Sequence, residues 1–172
     1  MHATLTQHLE KLFLKTSRGA ARKAIYALRA RQSGEPAVAA LYEAMSQSEA
    51  AQARRLLIQL RGQTHTNEEN LRTCFTEETP ALINSYNAAA LQAEQLGEQA
   101  MHNIFSQSER VERIFLSLEK KVARGQAADQ ATYHICRFCG FIREGAVAPE
   151  ECPICTAPRS RFHTIGKSLR SP

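Results

Sequence analysis

Four of the chain's five cysteines stand in two C-x-x-C pairs, Cys136/Cys139 and Cys152/Cys155, with residues 140–151 between them. A C-x-x-C turn lets two thiolates bind one ion from a single tight loop, and two such turns facing each other make a closed S4 site. Gly140 follows the first pair and Pro153 sits inside the second, and sharp turns use both residue types. Two disulfides are the alternative for the same spacing. In a sequence with no export signal, such pairs more often hold a metal or do redox work. Four thiolates suit zinc or iron, and spacing alone does not separate the two.

A second set of chemically capable residues lies upstream. Glu49, Glu78 and Glu112 fall in or beside apolar stripes of helical period, and Gln52 follows Glu49 at the i+3 position. A carboxylate inside a helical core is costly unless it is paired, protonated or bound to metal. Without metal, the expected arrangement is a hydrogen-bonded network in which Gln52 donates to Glu49 or Glu78. Cys74, the remaining thiol, lies one position from its helix's inner stripe and reads as a buried, inert cysteine.

The elements that must position these residues read as four long helices. Residues 3–32 carry Leu5, Leu9, Leu12, Thr16 and Ala20 at helical spacing, and Ser33-Gly34 stops them. The second helix runs from about Pro36 to Arg61, with Pro36 where a first turn tolerates it. A third follows the polar loop 63–69, with Asn67 as its expected cap, and ends at Gly97. Pro80 inside it predicts a kink or bulge near Glu78. The fourth spans about Glu98 to Ala123, with an inner stripe of Met101, Ile104, Ser108, Val111, Phe115, Leu118 and Val122. The fold class is therefore mainly α: a four-helix bundle over 1–125, a linker over 126–131 and a small four-cysteine metal module over 132–168, with a loose tail at the end. The module is too short to bury its own core and is expected to need its metal to fold.

The net charge is +5, much of it near the two ends. No aromatic residues interleave with the basic ones and no recognition motif is present, so nucleic acid is not an expected partner. No run approaches the length of a membrane span, so no membrane partner is expected either. The thiols point to a reducing cytosol.

The string Tyr133-His-Ile-Cys-Arg-Phe-Cys-Gly-Phe, followed by Ala148-Pro-Glu-Glu-Cys-Pro-Ile-Cys, resembles a rubredoxin-type module. The short spacer is similar to that of rubrerythrins, which carry this module after a ferritin-like four-helix bundle. The resemblance implies one redox-active iron at Cys136, Cys139, Cys152 and Cys155. It also implies a carboxylate-bridged di-iron centre in the bundle that reduces peroxide, built from two glutamates and two Glu-x-x-His motifs. Over residues 5 to 123 the chain approaches that pattern and departs from it. Gln52 stands at one histidine position, in Glu49-Ala-Ala-Gln52. Phe115 stands at the other if the fourth-helix motif is Glu112-Arg-Ile-Phe115; the alternative register, Glu109-Arg-Val-Glu112, also lacks histidine. Thr16 and Ala81 match expected glutamates.

The second metal site is thus expected to be degenerate, with Glu49, Glu78, Glu112 and Gln52 remaining, and no catalytic residue is assigned. Gln52→His, Phe115→His and Thr16→Glu together are expected to increase iron binding. Two functions follow. One is a redox protein passing electrons through the four-cysteine iron, with impaired peroxide reduction. The other is a non-catalytic scaffold whose S4 module carries electrons or holds a structural zinc. The partners expected are an unspecified redox protein and a second copy in a head-to-tail homodimer. In that dimer the module stays at the end of its own bundle and serves the other chain.

Overall fold

The computed structural model describes residues 3–62, 65–126 and 131–166. Most of the expected linker, two residues of the expected 63–69 loop and the expected tail beyond Gly166 lie outside the described residues. The chain divides into two compact units, residues 1–65 and 66–172.

The first unit is a helical hairpin. Helix α1 (Ala3–Gln32) turns at Gly34, whose φ of 74° is left-handed, into α2 (Pro36–Arg61). Small side chains let the helices approach: Gly19, Ala20, Ala27 and Ala30 on α1 and Ala39 and Ala53 on α2 are buried. Tyr26 and Tyr42 meet edge to face, with centroids 5.4 Å apart. Polar ties fix the register. Ser46 Oγ donates to the Ala20 carbonyl at 2.8 Å, Lys23 Nζ to Glu49 Oε1 at 2.6 Å, and Arg31 pairs with Glu43.

The second unit opens with α3 (Asn67–Thr73). Its cap is Thr66 rather than the expected Asn67. Thr66 Oγ1 accepts from the Glu69 N–H at 3.2 Å, and Glu69 Oε2 accepts from the Thr66 N–H at 2.9 Å, a reciprocal capping box. The expected bulge is a π turn over Cys74–Glu78, leading directly into α4 (Thr79–Gln95). Thr79 N–H reaches back five residues to the Cys74 carbonyl, one position before Pro80, which has no N–H to give. Gly97 ends this long helix, and α5 (Gln99–Ala123) returns along it. His102 bonds the Ala90 carbonyl and Thr79 bonds Glu119, which sets α4 against α5.

The remainder is a three-stranded antiparallel sheet in the order β2-β1-β3: β1 (Tyr133–Cys136), β2 (Ile142–Glu144) and β3 (Phe162–Ile165). Its core of Cys136, Phe141, Cys152 and Ile154 is continuous with Val111, Ile114 and Phe115 of α5. Arg110 donates to the Pro153 carbonyl at 3.2 Å, and Lys121 pairs with Glu144 at 2.6 Å. The module therefore lies back along α5 over eleven residues, about 16 Å of helix. This corrects the expectation that it stays at the helix's end. Linker reach permitted either placement, and the apolar face of Val111, Ile114 and Phe115 decides between them, because leaving it in water is unfavourable.

The expected inner stripe of α5 is corrected by the same fact. Val111 and Phe115 face the module, while Met101, Ile104 and Val122 are exposed. The side toward α4 carries His102 and Glu119. Among the described residues, no helix is long and apolar enough to cross a membrane.

Candidate metal centre

Each cysteine pair sits on a tight knuckle whose backbone is determined locally. In the first, Gly140 N–H bonds the Cys136 carbonyl at 2.9 Å, and Cys136 N–H bonds the Phe141 carbonyl at 2.9 Å. The second repeats this. Thr156 N–H bonds the Cys152 carbonyl at 2.9 Å, and Cys152 N–H bonds the Ala157 carbonyl at 2.8 Å. Both turns need a left-handed residue after the second cysteine. Gly140 supplies it freely at φ 82°, and Thr156 supplies it at φ 61° against the Cβ penalty.

The sheet brings the knuckles face to face. Buried His134 ties it together, one ring nitrogen 3.0 Å from Thr164 Oγ1 and the other 3.0 Å from the Gly145 carbonyl.

The four sulfurs all lie within 4.8 Å of one another. Cys136 and Cys155 are 3.7 Å apart and Cys139 and Cys152 3.6 Å apart, across the knuckles. A disulfide needs about 2.05 Å, so none is present, and none of the five cysteines is disulfide-bonded. A tetrahedron with metal–sulfur bonds of about 2.3 Å has edges of about 3.8 Å, which these separations match.

The electrostatics ask for a cation. Burial pushes the Cys139 thiol far up, and the surrounding thiols push it further. Burial comes first for Cys155 too, which is also raised. Burial opposes ionisation of Cys136 as well, but the N–H groups of Cys139 and Phe138, then the thiols of Cys155 and Cys139, hold it below the ordinary range. One thiolate is thus favoured, and Cys139 and Cys155 need a positive ion beside them to ionise. The donor set fits a tetrahedral thiolate metal.

The sequence of this region, residues 134–163, matches the sequence model of the rubrerythrin rubredoxin-like domain. The rubrerythrin of Porphyromonas gingivalis is 27% identical over 92% of this chain and 88% of that protein. Residues 134–163 thus match a rubrerythrin-type rubredoxin-like domain, and the chain as a whole is similar to rubrerythrins. The rubrerythrin of Nitratidesulfovibrio vulgaris is 39% identical over 32% of this chain, a match spanning 30% of that relative's own length. A nigerythrin structure in a mixed-valence state covers 93% of this chain and 86% of its own, at 20% identity with a TM-score of 0.52. That likeness bears on the fold, which is mainly α as expected, followed by a small strand module carrying the rubredoxin-like cysteine cluster.

The residues expected at a second metal site behave differently from the cysteines. In the first unit, Glu49 Oε1 is held by Lys23, and Oε2 is buried with no hydrogen-bond donor among the described residues. Gln52 is exposed, and its amide lies 3.4 Å from Ser48 Oγ on its own helix. Thr16 Oγ1 is bonded to the Leu12 carbonyl of its own helix at 2.8 Å. In the second unit, Glu78 Oε2 accepts from Cys74 Sγ at 3.3 Å. Burial, and then the charge of Glu119, raise the Glu112 carboxyl above its ordinary range. Phe115 is spent on the module's core.

Sequence reasoning missed Lys23 and Glu119. Lys23 lies two turns after Thr16 on one helix face, a signal present in the spacing. Glu119 lies beside Leu118 of the expected stripe and is visible only once α5 is seen to have two covered faces. Within each unit, among the described residues, no second set of three such side chains converges on a point.

Proposed function

We propose that this chain is an electron-transfer protein working through one iron at Cys136, Cys139, Cys152 and Cys155, and that its helical part reduces peroxide poorly. The observation that carries the reading is the S4 cluster, with cross-knuckle separations of 3.6 and 3.7 Å and backbone N–H groups directed at Cys136. Iron in such a site supplies one-electron chemistry. The chain's own part is to hold the thiolates at fixed geometry, so that little rearranges when charge changes. Cys136 and Cys152 are buried, and Phe138 beside Cys139 is 75% exposed, so the cluster lies just under the surface at one knuckle.

The impaired half of the reading rests on Gln52, Phe115 and Thr16, none of which offers the family's imidazole or carboxylate, and on the engaged state of Glu49. A homodimer also belongs to this proposal. Its support is the exposed apolar surface on the helices, including Leu12, Ile25, Leu41 and Leu91. With the module packed along its own α5, its placement does not favour exchange between chains.

Metal analysis of the purified protein tests the reading. One iron per chain, red when oxidised and bleached by a reductant, is the expected result, together with slow peroxide turnover. Colourless protein holding one zinc would favour the scaffold alternative. Two further irons per chain with rapid peroxide turnover would overturn the impaired half alone. Sedimentation at micromolar concentration tests the dimer.

A further inference from the structure

The first unit holds an arrangement that the family's metal chemistry does not call for. Gly19, Ala20 and Lys23 lie along one face of α1 and meet the stretch of α2 around Ser46 and Glu49. Lys23 Nζ sits 2.6 Å from Glu49 Oε1, and the two side chains are only 19% and 28% exposed. The other oxygen, Oε2, is turned against Gly19. A Cβ built there would lie inside contact distance of Oε2 and 3.1 Å from the carboxyl carbon. The carboxylate is therefore enclosed on one side by the α1 backbone and neutralised on the other by an ammonium.

We propose that Lys23 is the resident counter-cation of Glu49, and that it keeps a divalent metal off the α1–α2 half of the second site. This deepens the impaired-bundle half of the function proposed above. A tethered ammonium competes here with a metal from solution. A partly buried carboxylate needs a positive charge near it, and removing one member of such a pair leaves the other uncompensated. A metal would meet that need with two charges, but it arrives from dilute solution. The ammonium is tethered by its own side chain, and short tethers hold a group at an effective concentration on the order of millimolar. Lys is a compact point charge on a flexible stem, which suits it to a slot left by an ion. The neighbouring positions give a metal little in return. Gln52 offers a neutral amide beside Ser48, and the Thr16 hydroxyl is bonded to its own helix. With Lys23 in place the residues present do not fit a metal at this half of the site, because Glu49 already holds a counter-charge.

The test uses full-length protein with its four-cysteine site loaded, and Mn²⁺ as the probe, followed by electron paramagnetic resonance. Lys23→Met and Lys23→Gln, one apolar and one polar, guard against a folding defect in either; helical circular dichroism is checked for both. Each is expected to bind Mn²⁺ at least about tenfold more tightly than the parent, the scale of one charge-assisted contact. Adding Glu49→Gln to either is expected to cancel the gain. Thermal midpoints should respond to Mn²⁺ in the Lys23 variants and not in the parent. No gain in either variant, or a gain that survives Glu49→Gln, overturns the inference. Neither result touches the colour or iron content of the S4 site, so the two readings fail separately.

Discussion

Replacing Gly19 with alanine sets two known effects against each other. Gly19 lies well inside α1, where alanine is more favourable than glycine by about 0.8–1.0 kcal/mol. A Cβ at that position would press on Glu49 Oε2, lie 3.1 Å from Cδ and lie 3.3 Å from Oε1. Oε2 has no hydrogen bond to lose and is the end of a flexible chain, so the steric cost is small in itself. The cost comes from Oε1, which must leave Lys23 when the carboxylate swings away. A charge-assisted contact is worth about 1.5–3 kcal/mol when well buried, and partial exposure cuts this to about 1–2. Gly19→Ala is therefore expected to be neutral to destabilising, by up to about 1 kcal/mol, in the parent. In a Glu49→Ala background the clash and the ion pair are both gone, and the same change should stabilise by about 1 kcal/mol. Urea denaturation of the four proteins gives the coupling directly. In thermal melts the sign change spans about 2–4 °C per kcal/mol for a chain of this size. Equal stabilisation by Gly19→Ala in both backgrounds would refute the placement of Glu49 against α1.

Cys152→Ser should abolish stoichiometric metal binding and loosen the module while leaving most helical circular dichroism in place; a module that keeps its metal and its proteolytic resistance would contradict this. Glu112→Gln should stabilise the protein near neutral pH. The folded carboxyl is raised, so its ionised form is penalised, and the penalty builds as pH rises above the ordinary value of 4.5 and vanishes below it. Melts at pH 4 and pH 7 check this, and an equal gain at both would count against it. Phe115→His, expected from sequence to help rebuild a metal site, should instead cost about 1–2 kcal/mol by opening the contact between α5 and the module, with no second iron gained. Metal analysis beside a thermal melt reads both halves of that claim.

The four-cysteine centre was legible because its information is local. Spacing, Gly140 and Pro153 set each knuckle within six residues, and the chemistry of four thiolates does the rest. Helix ends and the π turn were legible for similar reasons: Gly34, Gly97 and Pro80 act on their own neighbours. What was not legible depends on pairing across elements. Thr66 outranked Asn67 as a cap because Glu69 could answer it. The Lys23–Glu49 pair joins residues twenty-six apart, and periodicity places each on a face without naming its partner. The error in α5 has the same origin. A helical stripe says that a face is covered, not by what, and α5 is covered on more than one side. Phe115 was read as a lost ligand when its ring already had an occupation.

Helix α5 is a wall shared by two rooms. Its Glu112 and Glu119 belong to the side where charge is confined, and Val111, Ile114 and Phe115 belong to the side that floors the cysteine module. Val111 and Glu112 are consecutive residues of one rigid rod. The rod cannot turn to ease repulsion between the two carboxylates without sliding the floor beneath the knuckles, and it cannot settle the module without moving the carboxylates.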